Sequence, residues 1–257
     1  RGSYRFLSAL ASPKGSVHII GIYATGKQDP VANLNSLASS FLDDGVTAWV
    51  SLVEDDDYIN ATRSAMEVLT GNFFRPNMLF MPFERDTKVE LERERIAWLL
   101  KRASDLPHLG IVLLSQHPVV GLGQEQLINV WMREQGPDWG LGLRLANLDL
   151  AVLVGYQLAR NWNGRLNLCM VVPTEETSDK AVEFLEELKS FARLSANTGI
   201  KVFAGAFWEA LPQAPAADLS ILGLQDHPDL DFVEKAVKII DASCIFVRDS
   251  GDESALA

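Results

Sequence analysis

Along this chain, short uninterrupted apolar runs alternate with longer segments whose apolar positions recur at helical spacing. Ser16 to Tyr23 (SVHIIGIY) predicts a strand. Pro30 then opens a helix reaching about Leu42, with Leu34, Leu37, Ala38 and Phe41 along one face. Thr47 to Val53 predicts the next strand, and Asp57 a side-chain cap for a helix from Tyr58 to Leu69. Asn77 to Pro82 reads as a third strand, Val89 to Ala103 as a charged amphipathic helix, and Gly110 to Ser115 as a fourth strand. The pattern then restarts. Ile128 to Met132 predicts a strand, Leu141 to Ala159 a nearly all-apolar helix, Leu166 to Val172 a strand, and Ser178 to Ala196 a helix capped near Ser178. Strands follow at Ile200 to Ala204 and Leu219 to Leu224, then a helix from Phe232 to Ile240 and a last strand from Cys244 to Arg248.

This alternation implies an α/β fold, a mostly parallel sheet with helices on both faces. Strands covered on both faces need unbroken apolar runs, and these runs supply them. The segment from Ile128 to Val172 carries the order most clearly: strand, glycine-rich turn, apolar helix, a break at Trp162, strand. That is one βαβ unit with a buried crossover helix. The glycine-rich segment Pro118 to Gly123 (PVVGLG) is the expected boundary between two parts, 1–123 and 124–257, each with about four strands and three helices. The parts form a weak repeat of pattern rather than of identity. Trp208 to Asp218 is Pro/Ala-rich and predicts an exposed loop, and Gly251 to Ala257 a frayed tail.

Composition narrows the partners. The 257 residues are 47% apolar, enough for a sizeable core, and the net charge is −11. Such a chain is repelled by phosphate backbones and by anionic headgroups, so neither nucleic acid nor a lipid surface is expected to bind it directly. Two cysteines, Cys169 and Cys244, lie inside predicted strands and read as buried thiols; their number and spacing exclude a disulfide framework or a CxxC metal site. The one apolar stretch of membrane-spanning length, Leu141 to Ala159, carries Arg144, Asn147, Asp149 and Gln157, which a bilayer would penalise. The chain begins at Arg1 rather than Met, which leads us to expect a fragment of a longer polypeptide.

Catalytic signatures are missing: no Walker A, G-x-S-x-G, H-E-x-x-H or EF-hand loop occurs. Gly136, Gly140 and Gly142 follow a strand and open a helix, where an α/β fold places phosphate. Their spacing is not G-x-G-x-x-G, and bulky Trp139 stands among them, so a tight turn is the better reading. The run Glu54-Asp55-Asp56-Asp57 sits just before a predicted helix, where acids serve as caps more readily than as metal ligands. His18, His108, His117 and His227 have no second ligand at helical spacing, although His117 stands at a strand end where α/β sites gather. The charges from Glu90 to Arg95 form a solvated helix face. We therefore assign no catalytic, cofactor-binding or metal-ligating residue, expect no cofactor, and do not expect an enzyme.

One resemblance covers most of the chain. Ile128, Val130 and Trp131, then Gly140, then Leu148, Leu150, Leu153, Tyr156 and Leu158, then Trp162 and the strand from Leu166, resemble the cytosolic C-terminal region of cation-chloride cotransporters. In that family an I-D-V-W/Y-W-type strand precedes a glycine-rich turn, a leucine-rich helix and a W-x-x-C/A-x-I/L-R-V/I-type segment. Ala181 to Arg193 is similar to the family's helix with an L-x-x-F/L-R end. Arg75-Pro76-Asn77-Met78-Leu79 resembles its K-x-N-T-L-type strand entry, and Tyr4 to Leu10 its helix after the last transmembrane segment. Asn129 replaces the family's acid, and the basic, phosphorylation-rich insertions of animal members are missing, which suggests a minimal prokaryotic version.

The resemblance implies two universal-stress-protein-like α/β halves at the cytoplasmic face of the membrane. It further implies a regulatory and dimerising role beside a transmembrane domain that carries Na⁺ and/or K⁺ with Cl⁻. Its partners would be a second copy and that membrane domain, and Trp208 and Trp139 are candidate exposed contacts. The rival reading is a free-standing, nucleotide-binding stress-type protein, weakened because the G-x-x-G-x₉-G-[ST] loop is missing from both halves. An enzyme using a cleft between the halves has no motif behind it.

Overall fold

Two groups of elements pack as separate compact units, 3–77 and 78–257, in a computed structural model. It describes residues 2–71, 75–84, 90–106, 108–134, 139, 148–225 and 228–256.

The first unit holds α1 (Gly2–Ala11), β1 (Ser16–Tyr23), α2 (Val31–Asp43), β2 (Thr47–Glu54) and α3 (Tyr58–Thr70). β1 and β2 pair in parallel from Ser16↔Thr47 to Tyr23↔Glu54. Gly21 has no side chain because a Cβ there would overlap the side chains of Leu34 and Leu52, so α2 can lie close on β1. α1 is tied to the end of α2: the Tyr4 hydroxyl donates to the Ser40 carbonyl at 2.8 Å, and Ser8 Oγ donates to the Asp44 carboxylate at 2.6 Å. Phe6 and Phe41 are buried beneath that contact. Asp57 caps α3 as the sequence predicts, accepting from the amides of Ile59 and Asn60.

The second unit holds β3 (Met78–Pro82), α4 (Glu90–Ser104), β4 (Gly110–Ser115), β5 (Leu127–Met132), α5 (Asp149–Asn161), β6 (Arg165–Val172), α6 (Ser178–Phe191), β7 (Gly199–Ala204), α7 (Phe207–Ala210), β8 (Leu219–Gly223), α8 (Leu230–Ile240) and β9 (Ser243–Arg248). Their strands form one sheet in the order β3-β4-β9-β8-β5-β6-β7, and every neighbouring pair is parallel except β4 with β9. The fold is thus α/β, mostly parallel, with flanking helices. The sheet includes strands from both sides of the 118–123 segment. All of β4 is buried, as are five of six residues in β5 and in β9.

A helix buried against such a sheet must carry small residues where it approaches. A Cβ on Gly155 of α5 would stand 2.7 Å from Val130 Cγ2 and 3.0 Å from Leu166 Cδ1. Inside the sheet, polar groups pair with one another. Asn129 accepts from Asn167 Nδ2 at 2.9 Å and donates to the Pro215 carbonyl at 2.8 Å. An aspartate at this position could accept from Asn167 but, ionised, could not donate to Pro215.

Several expectations are corrected. α6 ends at Phe191, not Ala196, because Leu194 N donates back to the Lys189 carbonyl and Arg193 takes a left-handed φ of 50°. Its start is preceded by a 3₁₀ turn, Glu175–Thr177, and Thr177 makes no side-chain cap. The expected loop 208–218 instead opens with the end of α7 and a 3₁₀ turn, burying Ala210 and Leu211. Trp208 is half-buried, with its ring 5.2 Å from Phe232 and Lys235 Nζ 4.2 Å above it, so it is not an exposed contact. Trp139 is also half-buried, edge-on to Phe184 at 6.2 Å. The tail is not frayed: Glu253 accepts from Ser250 N and Oγ, and Ala255 is buried. The first part of the predicted 141–159 helix lies outside the described residues.

Replacing Gly155 by Val is expected to cost about 2 kcal/mol, since the added methyls meet packed strands. Urea denaturation should show a lower midpoint with an unchanged slope.

Candidate functional site

β5 lies between β8 and β6, and the chain leaves it toward β6 on one side while β8 is reached later on the other. That reversal is the topological switch point of a doubly wound sheet, where the carboxyl ends of the strands leave a crevice. A cleft of about 440 Å³ opens there, lined by Trp131, Leu148, Val172, Phe207, Leu222 and Phe232 among others. The aromatic rings form one wall: Phe207 stacks on Phe232 at 6.1 Å, and Trp131 meets Phe207 edge-on at 6.1 Å. Trp131 is only 4% exposed, and among the described residues its indole N–H has no partner. Chemically the cleft offers mostly apolar surface, with Arg133, Glu134 and Gln225 also among its lining residues. That suits a small, largely apolar molecule.

The helix end beside this cleft is already occupied. In this architecture an anion binds the first free amides of the helix after the strand. Here Asp249, just past β9, accepts from Asp149 N at 3.0 Å and from Leu150 N at 3.1 Å, the first amides of α5. The Asp149 carboxylate in turn accepts from Ala255 N at 2.6 Å and holds down the tail. Burial, which outweighs the two amides, together with the nearby charges of Glu253 and Asp149, pushes the Asp249 carboxyl up to about 6. Asp218 makes a comparable clamp on β5, accepting from Gln124 N, Gln126 N and Leu127 N at 2.8–3.0 Å. Partial burial pushes its carboxyl up, but the three amides win and hold it below the usual range. Neither aspartate stands out in the sequence, because each partner lies some ninety or more positions away.

The residues considered from the sequence do not converge on one site. Gly136, Gly140, Gly142 and His227 lie outside the described residues. His117 Nδ1 accepts from Val119 N and Val120 N, stabilising its own turn, and its Nε2 faces Asp241 at 3.3 Å. His108 pairs with Asp252, and His18 Nε2 lies 2.8 Å from Ser51 Oγ. In the acidic run, Asp55 accepts from Asp57 N and Asp56 from Thr25 N, so these carboxylates brace the turn before α3. Among the described residues no group of three or more metal-binding side chains comes together. Cys169 and Cys244 are both buried and are not joined in a disulfide, and burial pushes the Cys169 thiol up to about 12.

A carboxyl whose folded value is raised favours the folded state when protonated. Stability from Asp249 is therefore present below the ordinary aspartate range and lost as pH rises through about 6. Urea titrations across this window should show stability falling with rising pH, and Asp249→Asn should flatten that slope.

Two family models cover the chain: the first part of the prokaryotic cation-chloride cotransporter C-terminal domain over residues 1–122, and its second part over 123–256. Among solved structures, the cytoplasmic domain of a prokaryotic cation chloride cotransporter is 32% identical, with a TM-score of 0.86, covering 99% of this chain and 93% of that one. A putative universal stress protein from Pseudomonas aeruginosa UCBPP-PA14 is 13% identical with a TM-score of 0.59, covering 95% and 86%. A universal stress protein from Archaeoglobus fulgidus DSM 4304 is 12% identical with a TM-score of 0.57, covering 98% and 94%. These last two share the fold alone. No curated protein matches. The chain belongs to the prokaryotic cation-chloride cotransporter family, as both parts of its C-terminal, cytoplasmic domain.

Proposed function

We propose that this domain is the regulatory and dimerisation part of a symporter, on the cytoplasmic face of the membrane. A transmembrane domain of the same polypeptide carries Na⁺ and/or K⁺ together with Cl⁻, and no residue described here touches the transported ions. The observation that carries this reading is the unbroken match to both parts of the family domain, residue 1 to residue 256. In this reading the inherited halves are 1–123 and 124–257, close to where the two family models abut.

The dimer would be closed and two-fold, the common solution for identical subunits. Support comes from apolar side chains left in solvent on the first unit: Leu42 of α2, Trp49 of β2 and Val68 of α3 are 56%, 44% and 67% exposed. A parallel pair of strands normally has both faces covered, so the exposed Trp49 of β2 favours a further partner. Sedimentation of the wild-type chain at micromolar concentration should give a dimer. Trp49→Glu should shift it toward monomer while the chain keeps its folded circular-dichroism spectrum, and a wild-type chain that stays monomeric would remove the claim.

The nucleotide-binding stress-type reading has less support, since the amides that would face a phosphate at α5 are taken by Asp249. Saturating ATP is expected to leave the melting temperature unchanged; a clear rise would restore that reading.

A further inference from the structure

At the opposite end of the strands, a second cavity of about 500 Å³ lies where α5 and α6 end and β6 and β7 begin. Arg160 of α5, Arg165 at the start of β6 and Arg193 beyond α6 line it, with no aspartate or glutamate among its lining residues. In a chain with 34 acidic and 23 basic residues that is an uneven distribution, and it makes a local positive field. All three side chains are exposed, and among the described residues none has an ion pair or side-chain hydrogen bond. Elsewhere an arginine near acids is used: Arg93 pairs with both Asp231 and Glu234.

Two of these arginines stand near helix carboxyl ends, where any cation complements the dipole. Hydrogen bonding to the helix ends does not require them. Backbone amides of Trp162, Asn163 and Gly164 already close α5, and those of Ala192, Arg193 and Leu194 close α6. Arg193 also holds a left-handed backbone, which glycine or asparagine adopts at lower cost. Arg165 is on no helix at all.

We propose that this arginine-lined cavity binds a multiply charged phosphate-bearing anion. The ligand's phosphate oxygens would be held by guanidinium forks from three elements, with the side-chain amide of Asn163 and hydroxyl of Ser195 at the rim. The source is either a free phosphorylated solute or the headgroup of an anionic lipid.

The test is calorimetry of the whole chain with inorganic tripolyphosphate at low salt, beside co-sedimentation with phosphatidylglycerol vesicles and with pure phosphatidylcholine vesicles. Binding should weaken about tenfold for each of Arg160→Gln, Arg165→Gln and Arg193→Gln, and fall as salt is raised. Arg193→Gly should bind as weakly as Arg193→Gln while keeping or raising the melting temperature. Arginine-dependent binding of tripolyphosphate alone identifies a free solute, and arginine-dependent binding of phosphatidylglycerol vesicles alone identifies a headgroup. Binding of neither probe overturns the proposal. So does binding that survives all three substitutions, or a lowered melting temperature with unchanged binding.

Discussion

The second unit is governed by the need to bury both faces of its central strands. A strand such as β4, with every residue buried, leaves no face for solvent or for a ligand. Parallel pairing then requires crossover helices, and each must lie close enough to exclude water. Gly155 under α5 shows how tight that approach is. With the central faces closed, the two ends of the sheet remain open. The aromatic cleft lies at the carboxyl end and the arginine-lined cavity at the amino end.

The same constraint explains where the polar side chains went. Asn129 and Asn167 satisfy each other across β5 and β6, and Pro215 receives the remaining donor. Asp218 gathers three amides ahead of β5, and Asp249 gathers two at the start of α5. Carboxylates that could have served chemistry are spent on backbone donors. At α5 this places a fixed internal anion where related architectures receive a phosphate. The likeness to universal stress proteins is one of architecture.

Much of the fold was legible because buried strands and amphipathic helices write their periods directly into the chain. GIVLLS could hardly be anything but a covered strand, SVHIIGIY reads as a strand although its residues are at most half-buried, and Asp57 announced α3 by its position. What composition misread were segments whose fate depends on distant partners. The Pro/Ala-rich stretch after Trp208 reads as a loop, yet Leu211 and Trp208 are drawn against Phe232 on α8 and its surroundings. The tail looks small and polar, yet Asp149 captures Ala255 from more than a hundred positions away. Asp218, Asp249 and the meeting of Arg160 and Arg165 with Arg193 carry no local signature. Only the topology brings them together.

This domain belongs to a membrane transporter family. The most direct measurement is the intact mass of the native polypeptide, taken together with its distribution between membrane and soluble fractions. The account predicts a membrane-bound product carrying a long additional segment before Arg1. A soluble product beginning near Arg1 would contradict it.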